Sequence, residues 1–263
     1  MSQKQNDEFY VGYMPEAPDG HAKLIRKSVL GLFGLAIVLA AALLVSQKAF
    51  YPSVFEFGVN TSFEGIIQEK PYPVLLVERP GDVGKLPGYS QYYLVSFGKY
   101  GAQEVVKGLN GKRVRLEGSL IYRDNQTMIE VLEGTVETVG DASSDIASFS
   151  AGVLSGKSLG TFELAGEIVD SKCFLGVMNP GELKPHKACA TRCISGGAPP
   201  IFIARDGDGV TNYFLLVSQD GRMVNDQILP LVADPIQIKG EVIQQDNLML
   251  LKADPATYQR INP

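Results

Sequence analysis

The sequence has no tryptophan, only two histidines and only three cysteines among its 263 residues. Three cysteines are too few to build a scaffold from disulfides, so a hydrophobic core must hold the fold together. Because His186 is the single histidine beyond the N-terminal part, His-based hydrolysis is not favoured and we expect no catalytic residue. Lys and Arg number 24 against 29 Asp and Glu, and no basic block is present. The net charge of −5 predicts that nucleic acid is not a partner.

The longest uncharged segment covers residues 28–47 and consists mainly of Leu, Ala and Val. An apolar run of about 20 residues is long enough to cross the hydrocarbon core of a bilayer as one helix. The apolar part of a cleaved signal peptide is shorter, about 7–15 residues, and a small-residue cleavage site follows it. We therefore predict a transmembrane helix over 28–47, through which the lipid bilayer is a partner, after a leader over 1–27.

The basic residues around this segment predict its orientation. Lys23, Arg26 and Lys27 precede it, whereas Lys48 is the single basic residue close behind it. Because Lys and Arg are enriched on the cytoplasmic side, we expect a cytoplasmic N-terminus. The sequence thus predicts a single-pass protein of the bacterial inner membrane whose C-terminal region lies in the periplasm.

The region after the apolar segment contains an internal repeat. VRLEGSLIYRDN, from Val114, aligns with IQIKGEVIQQDN, from Ile236, and FEGIIQ around Gly65 aligns with AGEIVD around Gly166. Alternating apolar and polar residues predict three strands, a short helix and two more strands in each unit. In the first unit the strands are predicted at 61–69, 73–78, 91–97, 112–122 and 127–135, and the helix at 102–109.

This element order resembles tandem bacterial OB-fold domains. The resemblance implies a mainly β protein with two five-stranded barrels, at 57–137 and 160–256. A small, polar segment over 138–159 is typical of a flexible linker between them. OB barrels often bind oligonucleotides, but that function is not implied here, because the chain is acidic and the barrels are expected outside the cytoplasm.

The second unit is longer than the first by a stretch as long as 173–193, and this stretch contains every cysteine of the chain. An insertion into a duplicated scaffold is a place to look for specific function. Pro185 can begin a helix within it and Gly196 can end that helix. We therefore predict a helical insert that distinguishes the second barrel from the first.

Four residues of the insert form a candidate metal site. His186, Cys189 and Cys193 share one face of the predicted helix, and Cys173, just past the first strand of the repeat, can close the site from the other side. A set of three cysteines and one histidine suits zinc, and the same ligands also suit copper or iron. Two alternatives stay open: one disulfide that staples the loop and leaves a spare thiol, or a thiol pair that exchanges disulfides.

The aromatic N-terminal FYVGYMPEAP, the apolar segment, CFLGVMNPG and CATRCISGGAPP together resemble bacterial membrane-anchored proteins associated with respiratory oxidoreductases. The resemblance implies a non-catalytic accessory subunit of a membrane redox complex, with subunits of that complex as partners. The alternatives are a periplasmic thiol-redox or metal-carrier protein, and a structural assembly protein with a stapled loop.

Overall fold

The computed structural model describes residues 18–47, 53–79, 88–141 and 156–261. The chain divides into two compact units, Met1–Tyr51 and Pro52–Pro263. The first contains one long helix and the second contains the β structure. The predictions for residues 1–17, and the centre of the predicted linker, lie outside the described residues.

The first unit contains helix α1 (Asp19–Gln47), and within the described residues it is the one helix long and apolar enough to cross a membrane. Its apolar side chains are exposed along its length. The helix starts earlier than the apolar run, so residues 19–27 of the predicted leader are helical. Asp19 in the first turn favours this start, because a negative charge stabilises the N-terminal end of a helix.

The second unit is built from short strands in two sheets. The strands are β1 (Ser53–Phe55), β2 (Thr61–Gln68), β3 (Val74–Glu78), β4 (Tyr89–Val95), β5 (Lys112–Arg123), β6 (Gln126–Val131), β7 (Glu137–Asp141), β8 (Lys157–Asp170), β9 (Pro200–Arg205), β10 (Thr211–Val217), β11 (Pro235–Gln245), β12 (Leu248–Lys252) and β13 (Gln259–Arg260). The helical elements are a π-helical turn (Cys173–Val177), α2 (Leu183–Ser195), α3 (Asn225–Ile228) and the 3-10 turns Leu229–Leu231 and Pro255–Thr257.

Each sheet closes into a five-stranded barrel. In the first barrel β2, β3 and β4 form an antiparallel meander, β6 pairs with β4 in parallel, and β5 pairs with both β6 and β2. In the second barrel β8, β9, β10, β12 and β11 pair in the same order, with β10 and β12 parallel. The prediction of two OB-like barrels is therefore confirmed.

Equivalent glycines mark equivalent crowded places in the two barrels. A Cβ atom on Gly65 would lie 2.5 Å from the carbonyl oxygen of Leu76, and one on Gly166 would lie 2.1 Å from that of Ile203. No side chain fits at either distance, since strands of a small barrel approach closely where they bend. The aligned glycines of the repeat are therefore explained by closure of the barrels.

The helix predicted at 102–109 is wrong. This segment forms successive turns, in which the amide of Val106 donates to the carbonyl of Ala102 and that of Leu109 donates to Val106. Gly108 adopts a φ of 78°, which ends any helical repeat, and the β-branched Val105 and Val106 do not favour a helix. The equivalent slot of the second barrel does form α3, as predicted.

The two barrels share a core. Besides a cluster in each barrel, one hydrophobic cluster combines buried side chains of both, including Tyr93 and Met128 of the first and Phe174 and Tyr213 of the second. Full burial of one large apolar side chain contributes roughly 1.5–3 kcal/mol. The barrels therefore form one unit. Both ends of the predicted linker also belong to strands, because β7 extends to Asp141 and β8 starts at Lys157.

A candidate metal centre in the helical insert

The insert of the second barrel leaves β8 through the π-helical turn and returns to β9 through α2. Helix α2 starts at Leu183, just before Pro185, and ends at Ser195. Gly196 follows as its C-cap, and its amide donates to the carbonyls of Arg192 and Cys193. The helix predicted between Pro185 and Gly196 is therefore present, slightly longer at its N-terminal end.

The π-helical turn holds Cys173 at the base of the insert. Its amide donates to Asp170 Oδ1 at 2.8 Å, and its carbonyl accepts from the amide of Met178 at 3.0 Å. The Cys173 side chain is 4% exposed. The end of β8 and this turn therefore fix the backbone of the first cysteine through hydrogen bonds.

The three cysteines converge from the turn and from α2. The sulfur atoms of Cys173 and Cys189 are 3.8 Å apart. Two sulfurs bound to one tetrahedral ion at ~2.3 Å each would themselves lie about 3.8 Å apart. The ligand atoms of Cys173, His186 and Cys189 lie within 4.8 Å of one another, and those of Asp170, Cys173 and Cys193 do so as well. This Cys/His/Asp cluster can therefore hold a metal ion.

His186 is buried and oriented by a carboxylate. Its Nε2 lies 2.9 Å from Asp170 Oδ2, and the two side chains are 3% and 0% exposed. In the tautomer that donates from Nε2 to this carboxylate, Nδ1 keeps its lone pair and can bind a metal. Carboxylates commonly hold metal-bound imidazoles in this way, which fixes the tautomer and raises the basicity of the ligating nitrogen.

Lys99 of the first barrel reaches the same cluster. Its Nζ donates to Cys189 Sγ at 2.7 Å and lies 3.9 Å from Cys193 Sγ. The hydrogen bond to Cys189, together with the nearby sulfurs, raises the pKa of Lys99, although its partial burial opposes this. A positive charge from one barrel thus faces the thiols of the other.

The pKa values of the two buried thiols, Cys173 and Cys193, are shifted in opposite directions. The pKa of Cys193 is lowered, because its sulfur accepts a hydrogen bond from Cys173 and because Lys99 lies nearby. The pKa of Cys173 is raised by that same hydrogen bond and by burial, with the charge of Asp170 adding to the effect. Cys193 is therefore the member of this pair that first becomes a thiolate, the form that binds metals.

The loop that carries Lys99 is tied to the insert at several points. Lys172 is buried, donates to the carbonyls of Ser96 and Gly98 at 2.7 and 2.8 Å, and pairs with Glu130. The amide of Gly101 donates to the carbonyl of Gly196 at 2.9 Å. These contacts between the barrels hold the loop against the C-terminal end of α2.

The structure brings Cys173, His186 and Cys189 together in one group and Cys173 and Cys193 together with Asp170 in another. Sequence reasoning missed Asp170 and Lys99. Asp170 ends β8 and precedes Cys173 by about one helical turn, so its spacing was a usable signal. Lys99 is 90 positions from Cys189, and no local pattern connects them. The proposed disulfide is not supported, since all three thiols are free and a disulfide needs sulfurs about 2.05 Å apart.

No protein-family profile matches the sequence, and no curated protein matches it either. A similar solved structure is a deletion mutant of the single-stranded DNA-binding protein from Thermus aquaticus, with 13% sequence identity and a TM-score of 0.23. The match covers 80% of this chain and 96% of that chain. The resemblance to proteins associated with respiratory oxidoreductases therefore stays a prediction from the sequence.

This comparison corrects one prediction about partners. We expected that nucleic acid is not a partner, and that exclusion is wrong, because a protein to which the chain is similar is itself a single-stranded DNA-binding protein. A TM-score of 0.23 gives no ground for assigning DNA binding to this chain. The acidic composition alone was too weak a reason for the exclusion, since net charge does not describe a local surface.

Proposed function

We propose that the protein is a membrane-anchored, metal-binding protein that holds one thiophilic ion, such as zinc, copper or iron, in the insert of its second barrel. Cys173, Cys189 and Cys193 supply sulfur, and His186 supplies a nitrogen. The proposal includes α1 as an anchor in the bacterial inner membrane, with the N-terminus cytoplasmic and the barrels periplasmic. The basic residues before the apolar segment support this orientation.

One observation supports the proposal most strongly: two groups of ligand atoms that share Cys173, one with His186 and Cys189 and one with Asp170 and Cys193, each lie within 4.8 Å. Thiolate sulfur and imidazole nitrogen are ligands that zinc, copper and iron take in proteins, so this set of atoms suits one such ion. When bound, a metal ion would supply a strong positive charge at this point. The residues of the chain would bind it and orient His186 through Asp170, and Cys173 and Cys193 lie buried beside Ala198.

The test measures metal bound to the full-length protein, purified in detergent under reducing conditions. We expect about one ion per chain, released when Cys189→Ser or His186→Ala removes a ligand. His21→Ala is the matched control, because His21 is the other histidine and lies in α1. Circular dichroism checks that each variant is folded. A folded wild type that binds neither Zn(II), Cu(I) nor Fe(II) would contradict the proposal.

A second candidate function, thiol–disulfide exchange, is favoured by the ammonium of Lys99 beside Cys189 and by the lowered pKa of Cys193. With a small-molecule disulfide as oxidant, one protein thiolate attacks it, which forms a mixed disulfide and releases one small-molecule thiolate. A second protein thiolate then attacks the protein sulfur of the mixed disulfide and displaces the other small-molecule thiolate. The protein then carries one disulfide, and the oxidant leaves as two thiols. Counting thiols after exposure to oxidised glutathione tests this function. A role in a redox complex stays a prediction and is not part of either proposal.

A further inference from the structure

Lys99 brings a charge to the candidate metal centre that none of the four ligands provides. Its ammonium group donates to Cys189 Sγ at 2.7 Å and lies 3.9 Å from Cys193 Sγ. A sulfur that binds a metal can still accept a hydrogen bond, so Lys99 can keep this contact when an ion is present. It is then a positive neighbour of the complex rather than a ligand.

The position of Lys99 is set by the fold, because its loop cannot easily move away from the insert. Lys172 donates to the carbonyls of Ser96 and Gly98, which come just before Lys99 in the chain. The close approach of the backbones also fixes the loop, since a Cβ on Gly196 would lie 2.0 Å from the carbonyl oxygen of Lys99. The charge is therefore preorganised beside the sulfurs.

The net charge of the complex depends on the ion. A monovalent ion leaves the same three thiolates one unit more negative than a divalent ion does. A fixed ammonium group next to the sulfurs stabilises the more negative complex more strongly. The metal-free thiols are the same starting state for both ions. The negative charge of Asp170 opposes the effect of Lys99, because it favours the complex of the divalent ion, but this contribution is the same in the wild type and in Lys99 variants and cancels when their affinity ratios are compared.

We propose that Lys99 is a specificity-determining residue that favours a monovalent thiophilic ion, Cu(I), over Zn(II) at this centre. The inference rests on the proposed metal-binding function and adds the class of ion to it. In this proposal the first barrel contributes to the metal centre of the second. All four ligands belong to the second barrel, whereas the charge that distinguishes Cu(I) from Zn(II) comes from the first.

The test compares two affinities in one series of variants of the full-length protein in detergent. Cu(I) affinity is measured anaerobically in competition with bicinchoninate, and Zn(II) affinity in competition with a chromophoric zinc chelator, at one pH and one ionic strength. The variants are Lys99→Met, which removes the charge, and Lys99→Arg, which keeps it. Lys107→Met is the matched control, because Lys107 is an exposed lysine of the same barrel paired with Glu104.

We expect Lys99→Met to lower the ratio of Cu(I) to Zn(II) affinity about tenfold, and Lys99→Arg and Lys107→Met to leave it near the wild-type value. An unchanged ratio in a Lys99→Met protein that still binds both ions would overturn this inference and leave the proposed function standing. An equal fall in Lys107→Met would overturn it too, since the effect would then be general. Binding of neither ion by the folded wild type would overturn this inference, and it would contradict the proposed function as well if Fe(II) also failed to bind.

Discussion

The two barrels share a strand order but differ in the segment that connects their first and second strands. In the first barrel the chain after β2 turns directly into β3, and the acid at that point, Glu69, accepts from the amides of Leu109 and Asn110. In the second barrel Asp170 occupies the aligned position and serves Cys173 and His186 instead. At aligned positions, the carboxylate of one barrel thus binds the backbone of the turn at Leu109 and Asn110, and the carboxylate of the other orients a candidate metal ligand. Duplication kept the scaffold, and the insert changed the chemistry at one point.

The difference also extends across the contact between the barrels. The first barrel has no thiol, yet it supplies Lys99 to the thiols of the second. In the second barrel, the buried Lys172 donates to two carbonyls of the first barrel and pairs with the carboxylate of Glu130. Each barrel therefore supplies a lysine to groups of the other barrel. Substitution of one residue in each of these contacts tests how much the contact contributes.

The largest effect is expected from Lys172→Met. Its side chain is 4% exposed and pairs with Glu130, so the substitution leaves a carboxylate and two carbonyls without their partner. Breaking a buried pair from one side costs about 3–5 kcal/mol, and we expect a loss of about 3 kcal/mol in the free energy of unfolding. Denaturant titration of the full-length protein, followed by circular dichroism, measures it.

Lys107→Met is the control for this change, because the Lys107–Glu104 pair is exposed. Exposed pairs contribute about 0–1 kcal/mol, so the control should unfold close to the wild type. If both variants lost equally little stability, the buried lysine would not hold the barrels together.

A smaller effect, on ion binding, is expected from Asp170→Asn. The amide cannot accept from His186 and from the amide of Cys173 as a carboxylate does, so the imidazole loses its fixed orientation. Loss of a carboxylate of this kind lowers metal affinity about 10–100-fold, measured by chelator competition. Glu69→Gln changes the aligned acid of the first barrel and should leave the affinity unchanged. Equal affinities for wild type and Asp170→Asn would mean that the aspartate only closes the turn.

The smallest effect concerns Asp234, which ties α2 to the second barrel by ion pairs with Lys187 and Arg260. Burial raises the pKa of Asp234, but the hydrogen bonds from Lys187 and Arg260 outweigh it and the pKa is lowered. A carboxylate with a lowered pKa stabilises the fold at neutral pH, and this stability is lost as the pH falls through its folded-state pKa.

Asp234→Asn should therefore cost about 1 kcal/mol or less at pH 7, because both cations are partly exposed and screened by solvent. The difference from the wild type should shrink as the pH falls below about 3.9, the ordinary value for Asp, and disappear below the lowered one. Thermal unfolding of both proteins across that range checks the sign. A difference that stays constant with pH would show that the charge of Asp234 is not its cause.

Much of the architecture could be predicted from local patterns. The alternation of apolar residues located the barrel strands, and the glycines of the repeat marked where the barrels close. The helical insert was predictable from Pro185, Gly196 and the spacing of its ligands. The prediction of a helix at 102–109 was wrong. A short segment between two strands can form either a helix or successive turns, and Gly108, with its positive φ, favoured the turns.

Local sequence patterns were enough to predict the apolar helix, the two barrels and the position of His186, Cys189 and Cys193 on one helix. Each depends on neighbours within a few positions or on a repeat that can be aligned. Three contacts could be seen only in the folded chain: Lys99 lies beside the thiols, Asp170 faces His186, and the two barrels share a core. Such contacts form when segments that are distant in sequence pack together and exclude water. The alternation of apolar and polar residues predicts which side of a strand is buried, but it does not predict which segments will pack against each other.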